Sequence, residues 1–104
     1  MTVMVERRRV EVLIDEPLLP ALVELAQAAG VSRYTLLPAL GGAGAYGRWR
    51  DDQLSGATGK VMFLAITTRA AADAFVERLE PLLDSHNLML LSSDVEVVRG
   101  PRFG

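Results

Sequence analysis

The sequence lacks cysteine altogether, and it contains a single histidine and a single lysine. Without cysteine, disulfides and thiolate zinc sites are excluded, and His86 alone cannot build a histidine-based metal site. No uncharged run approaches the ~18–20 apolar residues of a membrane-spanning helix. Charged residues 6–9 interrupt the only stretch that resembles a signal-peptide core. We therefore expect a cytoplasmic protein with no metal site and no direct membrane insertion.

Positive charge is also scarce. The net charge of -2 argues against a general nucleic-acid binder. All the cations except Lys60 are arginines, which suit bidentate contacts to phosphate or carboxylate. A genome rich in GC would explain the same bias through codon usage. The length of 104 residues predicts one domain, residues 1–104, with one modest core.

A glycine-rich segment, residues 41–59, dominates the middle of the chain and contains the only tryptophan. Connections inside a compact domain are usually about 4–6 residues long, and longer ones tend to be functional. We interpret the rest of the chain as a scaffold that presents this segment.

Hydrophobic periodicity and turn residues predict six elements around that segment. They are a strand at 7–14, a helix at 16–29, strands at 34–40 and 60–67, a helix at 69–83, and a last strand in two pieces, 88–91 and 94–98. Asp15 and Thr68 are the expected N-caps, and Gly30 is the expected stop of the first helix. Pro81 is expected to disturb the last turn of the second helix, and Ser92-Ser93 to break the last strand.

The order β-α-β-β-α-β is typical of an α+β, ferredoxin-like fold with an antiparallel sheet and both helices on one face. Strands 60–67 and 88–91 are apolar at consecutive positions, so the second face of the sheet also needs cover. Two helices cannot cover both faces. Self-association is therefore expected to bury the second face.

Three features could bind an anion, and each also has an ordinary interpretation. They are the backbone of Gly41-Gly42-Ala43-Gly44, the cations Arg48, Arg50 and Lys60, and the pair Arg99 and Arg102 around a Gly-Pro turn. Successive glycines let backbone N–H groups converge on phosphate oxygens. A flexible loop, solvated surface charge and a frayed terminus explain the same residues. With the expected fold, the three features can meet only across a subunit boundary.

No catalytic constellation is visible in the sequence, and we predict no catalytic residues. No serine or threonine has an evident histidine partner, because His86 lies in an expected surface turn. Asp51-Asp52 belongs to the glycine-rich loop, whereas catalytic carboxylates need fixed geometry. Tyr46 and Trp49 could stack on a ligand, anchor a partner together with Arg50, or pack back on the domain.

Residues 30–37 (Gly-Val-Ser-Arg-Tyr-Thr-Leu-Leu), the glycines that follow, the long loop and the strand that opens with Lys60-Val61 resemble the PII signalling proteins. In that family the second strand leads into the T-loop, here about 41–59, and the third strand leads out of it. The ending, residues 97–103, is similar to PII-like proteins linked to bicarbonate uptake and carboxysomes. The resemblance covers nearly the whole chain.

The resemblance implies a homotrimer with adenine-nucleotide sites in the clefts between subunits. A nucleotide and a small co-ligand would order the T-loop, which then binds or releases a target protein. The implied nucleotide-binding residues are Thr35, Gly41, Gly42, Ala43, Gly44, Lys60, Arg99 and Arg102. Bicarbonate would be held by Arg48 and Gly44. The partner-binding residues of the loop would be Tyr46, Trp49 and Arg50, with a bicarbonate transporter or a carboxysome component as the target.

The sequence also departs from the family. Residues 84–88, where the family has a glycine- and lysine-rich loop for the outer phosphates, contain neither residue, which favours ADP or AMP over ATP. Ala45 stands about where the family uses a glutamine with magnesium and 2-oxoglutarate. Two other functions of the same fold stay open: an acylphosphatase-like hydrolase, and an RNA-binding module, although Phe63 is the only aromatic on the central strands.

Overall fold

The computed structural model of the protein describes residues 2–45, 47–50, 59–86 and 88–98. Six strands are present in this part of the chain: β1 Met4–Asp15, β2 Thr35–Ala39, β3 Gly41–Gly44, β4 Gly47–Arg50, β5 Lys60–Thr67 and β6 Met89–Val98. The two α-helices are α1 Leu19–Ala28, which follows a 3-10 turn at Glu16–Leu18, and α2 Arg69–Ser85. Neither helix is long and apolar enough to cross a membrane.

Four strands form one sheet in the order β2-β5-β1-β6, and every neighbouring pair is antiparallel. Both helices contribute to one core with the sheet, through residues such as Leu22 of α1 and Leu79 of α2. The predicted α+β, ferredoxin-like arrangement is therefore confirmed. Strands β3 and β4, which lie between β2 and β5 in the sequence, form a separate two-stranded ribbon.

Alternate residues of the central strands build the core. Val10, Val12 and Ile14 of β1 are almost completely buried, and Phe63 of β5 lies opposite Val12. The Phe63 ring is 5.6 Å from the ring of Phe75 on α2, measured between centroids. This packing fixes which face of the sheet carries the helices, because side chains alternate along a strand.

Two capping predictions are confirmed and one is wrong. The Thr68 hydroxyl accepts a hydrogen bond from the Ala71 backbone N–H at 3.2 Å, as an N-cap does. Gly30 follows the end of α1 with a φ of +94°, which favours glycine. Asp15, in contrast, makes no side-chain cap, and α1 begins only at Leu19. Its carboxylate is bound by a lysine of β5 instead.

The last strand and the second helix are more continuous than predicted. β6 runs without a break through Ser92 and Ser93, which pair with Val10 and Arg9 of β1. The Arg8 side chain donates a hydrogen bond of 2.6 Å to the Ser92 hydroxyl. These pairings override the low strand preference of two serines. Similarly, α2 continues past the expected disturbance at Pro81 to Ser85.

The second face of the sheet is largely apolar, although β1 places Arg7, Arg9, Glu11 and Asp15 on it, and neither of the described helices packs against it. Register places eleven apolar side chains there: Val5, Leu13, Leu37, Ala39, Met62, Leu64, Ile66, Met89, Leu91, Val95 and Val97. Leu37 and Leu91 are 46% and 50% exposed. The expectation that two helices leave an apolar face uncovered is thus confirmed for the single chain.

Candidate functional site

The β3–β4 ribbon occupies the first half of the glycine-rich segment, where the sequence predicts only a loop. Its cross-strand partners are Gly41 with Arg50, Gly42 with Trp49, Ala43 with Arg48, and Gly44 with Gly47. Gly47 has a φ of +101° in the turn, a conformation that favours glycine. The ribbon positions one aromatic and one basic side chain at the start of the loop.

Trp49 packs against the backbone of its partner strand. A Cβ atom added to Gly42 would lie 2.9 Å from Cζ2 of the indole, closer than real Cβ atoms approach other atoms. Glycine at this position therefore lets the indole lie on the ribbon. In the single chain Trp49 thus packs back on its own ribbon, while stacking on a ligand and anchoring of a partner stay predictions.

Lys60, the first residue of β5, connects the ribbon with the sheet. Its ammonium donates a hydrogen bond of 2.7 Å to Oδ1 of Asp15, the last residue of β1. The same nitrogen lies 5.5 Å from the centroid of the Trp49 ring, within the range of a cation–π contact. Next to this pair, the Glu16 backbone N–H donates to the Gly59 carbonyl at 3.0 Å. The end of the loop, at Gly59 and Lys60, is thus bound to the end of β1 by both backbone and side-chain hydrogen bonds.

A pocket of about 400 Å³ opens at the base of the ribbon and is lined by Leu40, Gly41, Gly42, Arg48 and Trp49. Arg48 is exposed, so its guanidinium can reach an oxyanion in the pocket. Lys60 contacts the Trp49 ring beside this lining. The pocket therefore combines an indole, a guanidinium and glycine backbone, which suits a ligand with both flat apolar and anionic parts.

Thr35 is the first residue of the edge strand β2, and it lies at the end of that strand away from the ribbon. It pairs with Leu64 and lines a smaller depression of about 160 Å³ together with Arg33, Tyr34, Leu64 and Ile66. The four steps from Thr35 to Ala39 correspond to about 13 Å along a strand. Ala39 in turn pairs with Lys60. Thr35 and Lys60, two of the implied nucleotide-binding residues, thus lie at opposite ends of β2.

The structure does not bring every predicted site residue together. Gly44 lies at the turn of the ribbon and Ala43 opposite Arg48, and neither lines the pocket. Four residues cannot be compared with the structure, since Tyr46, Arg99, Arg102 and the side chain of Arg50 lie outside the described residues.

Sequence reasoning missed the role of Asp15, which it interpreted as a helix cap. The antiparallel register offers a signal that could have found it: Asp15 ends β1 where Lys60 begins β5. The contact between Gly42 and Trp49 had no comparable signal, because the ribbon was not predicted.

A second polar cluster lies at the opposite end of the sheet. Asp94 of β6 accepts hydrogen bonds from Arg8 and Arg69, each at 2.8 Å. The hydrogen bond from Arg8 lowers the pKa of Asp94 below its ordinary value, and the charge of Arg69 acts in the same direction. This cluster links β1, β6 and the start of α2. Within the described part of the chain, no group of three metal-binding side chains is found.

Comparisons with solved structures find the same fold in CPII, a nitrogen regulatory PII-like protein from Thiomonas intermedia K12. Its structure bound to ADP, AMP and bicarbonate is 20% identical, with a TM-score of 0.85 over 97% of this chain and 96% of that chain. Its structure bound to ADP and bicarbonate is also 20% identical, with a TM-score of 0.84 over 98% of each chain. CutA from Synechococcus elongatus PCC7942, complexed with Bis-Tris, is 12% identical, with a TM-score of 0.69 over 96% of this chain and 93% of that chain.

The TM-scores show a shared fold, whereas the sequence identities are too low to show the family. No curated protein matches the chain. The family model of nitrogen regulatory protein P-II matches residues 7–102, which include the whole four-stranded sheet except the first residues of β1. The chain therefore belongs to the P-II family.

Proposed function

We propose that this protein is a PII-like regulator that binds ADP or AMP, with bicarbonate as co-ligand, in clefts between the subunits of a homotrimer. The observation that carries this proposal is the pocket at the base of the ribbon, where Arg48 and Trp49 meet the backbone of Gly41 and Gly42. CPII, which has the same fold, has been crystallised with ADP, AMP and bicarbonate. The P-II family is one of signalling proteins, which favours a regulator over the acylphosphatase-like alternative and over an RNA-binding module.

The nucleotide is proposed to lie along the edge of β2. Thr35 would contact the adenine at one end, and the backbone of Gly41–Gly44 with Lys60 would hold the phosphates at the other. Arg99 and Arg102 of a neighbouring subunit would complete the phosphate site. The described end of α2, which includes Asp84 and Ser85, supplies no cation for a third phosphate, and this supports ADP or AMP over ATP.

The homotrimer is supported by the apolar second face of the sheet. One row of apolar side chains crosses all four strands in register on this face: Leu37, Met62, Leu13 and Met89. Leu37 and Met89 are 46% and 43% exposed in the single chain. Contiguous apolar surface of this kind is rarely left open to water. Packing three copies around this face would bury it and would bring the edge of β2 next to a neighbouring subunit.

Bicarbonate is proposed to bind Arg48, whose guanidinium can hold two oxygens of one small anion at once. The Gly44 backbone would contribute if the turn of the ribbon closes over the ligand. The T-loop, through Tyr46, Trp49 and Arg50, would then bind or release a target such as a bicarbonate transporter or a carboxysome component. Differential contacts of the loop with the ligand would drive this shift between loop conformations.

Calorimetric titration with ADP tests the proposal, with Arg102→Ala as the variant and Arg78→Ala as the control on the exposed side of α2. Loss of a charged hydrogen bond costs ~1.5–3 kcal/mol, so Arg102→Ala should weaken ADP binding about 10- to 100-fold. Arg78→Ala should bind as the wild type does. Absence of ADP and AMP binding by the wild type would refute the proposed function.

A further inference from the structure

The ammonium of Lys60 has two partners on different parts of the molecule. Asp15 belongs to the scaffold, since it ends the central strand β1, and its Oδ1 lies 2.7 Å from Nζ. Trp49 belongs to the ribbon, and its ring centroid lies 5.5 Å from the same nitrogen. Lys60 directly follows the loop, so this one cation connects the end of the loop with the ribbon and with β1.

The ion pair of Lys60 with Asp15 is only partly exposed to solvent, so it can influence the affinity for a ligand that contacts Lys60. The Lys60 side chain is 23% exposed and the Asp15 side chain 47% exposed. A phosphate group that approaches Lys60 must therefore approach the carboxylate of Asp15 as well. Two anions on one partly buried ammonium repel each other, so the phosphate and Asp15 compete.

We propose that Asp15 is a specificity-determining residue: it competes with the phosphates of the nucleotide for Lys60, so that a ligand that takes Lys60 also loosens the contact with Trp49. This inference rests on the proposed adenine-nucleotide function. It explains why a cation beside the phosphate site is paired with a carboxylate at all. The pairing holds the ribbon against the sheet in the free protein and lowers the affinity for phosphate-bearing ligands.

The first test compares Asp15→Asn with Glu16→Gln by calorimetric titration with ADP and with adenosine. Asparagine keeps the shape and the acceptor oxygen of aspartate and removes only its charge. An exposed or partly exposed ion pair contributes ~0.2–1 kcal/mol, so Asp15→Asn should bind ADP about 1.4- to fivefold more tightly. Adenosine, which has no phosphate, should bind it as it binds the wild type.

Glu16→Gln is the matched control, because it removes a neighbouring negative charge from an exposed side chain for which no ion pair is found among the described residues. It should change ADP affinity by less than Asp15→Asn does. Equal effects of the two variants, weaker ADP binding by Asp15→Asn, or an equal gain for adenosine would each overturn the inference.

The second test needs no ligand and uses the fluorescence of Trp49, the only tryptophan. Lys60→Met removes the cation and keeps the length of the side chain, and it should increase quenching of Trp49 by acrylamide. Arg69→Met, which breaks an ion pair of 2.8 Å at the far end of the sheet, should leave quenching unchanged. If quenching does not rise in Lys60→Met, the ribbon is not held by Lys60 and the inference is wrong.

The two tests separate the inference from the proposed function. If the wild type binds no ADP, the adenine-nucleotide proposal fails, and the competition for phosphate fails with it. Trp49 quenching then still decides whether Lys60 holds the ribbon. If ADP binds but Asp15→Asn shows no gain over the control, only the inference fails.

Discussion

The indole of Trp49 lies directly on the backbone of Gly42, its cross-strand partner in the β3–β4 ribbon. A Cβ atom at Gly42 would come within 2.9 Å of Cζ2 and 3.1 Å of Cε2 of the ring. The contact therefore requires glycine. It also leaves the indole next to Lys60, so Gly42 and Lys60 both contact the Trp49 ring.

Replacing Gly42 should open this contact. In Gly42→Ala we expect the indole to leave the ribbon, with red-shifted Trp49 emission and stronger acrylamide quenching. The free energy of unfolding should change by less than about 0.5 kcal/mol, as for surface sites, because the ribbon lies outside the core. Fluorescence and urea denaturation measure the two effects.

Gly44→Ala is the control on the same strand. No heavy atom lies within 4 Å of a Cβ added at Gly44, and its φ is not positive. This variant should keep the emission of the wild type. The same emission change in both variants would contradict the Gly42–Trp49 contact as its cause.

A charge on the apolar face should prevent self-association. Leu91→Glu introduces a carboxylate at a site that is 50% exposed in the single chain, opposite Glu11. Burial of an unpaired carboxylate in an interface is strongly unfavourable, so we expect monomers by light scattering at concentrations where the wild type forms the proposed trimer. Circular dichroism should show that the monomer keeps its helices.

Leu36→Glu makes the same chemical change at a residue that is 40% exposed on the opposite face, where its register partner is Phe63. It should still form trimers. Trimers of Leu91→Glu would contradict the proposal that the apolar face is the interface.

Acid stability should depend on Asp94. Its pKa in the folded protein is lowered, chiefly by the hydrogen bond from Arg8, while in the unfolded chain it is near the ordinary value of about 3.9. The stabilisation is therefore present above about pH 4 and is lost as the pH falls through the lowered pKa. Asp94→Asn should be less stable than the wild type at neutral pH, and its stability should fall less between about pH 4 and pH 2.

Urea denaturation at several pH values measures this, at one fixed protein concentration because assembly contributes to stability. Asp73→Asn is the control, since Asp73 is exposed on α2 and no ion pair is found for it in the described part of the chain. It should keep the acid dependence of the wild type. A wild-type acid profile in Asp94→Asn would show that the ion pairs with Arg8 and Arg69 do not stabilise the fold.

The elements with strong local signals were predictable from sequence. β5 has the predicted bounds, because the six apolar residues from Val61 to Ile66 lie in a segment that is bounded by Gly59 and Thr68. The start of α2 follows from the Thr68 cap, and its end differs by two residues, as helix ends commonly do. The order of elements then leads to the sheet topology by the general rules of the fold.

The features that depend on distant contacts were not predictable. Glycines have low strand preference, so nothing local indicates that Gly41–Gly44 forms a strand; the Trp49 indole and the partner strand stabilise it. Ser92 looked like a break, yet Val10 and the Arg8 side chain satisfy its hydrogen bonds. Asp15 is a residue type that commonly caps helices, and only the register of β1 against β5 reveals its pairing with Lys60.

The measurement that tests the account most directly is calorimetric titration of the protein with ADP, with and without bicarbonate. We predict micromolar ADP binding that tightens when bicarbonate is present, and by linkage bicarbonate binding that tightens by the same factor when ADP is present. ADP binding that is indifferent to bicarbonate would remove inorganic carbon from the proposal. No binding of ADP or AMP under either condition would contradict the account as a whole.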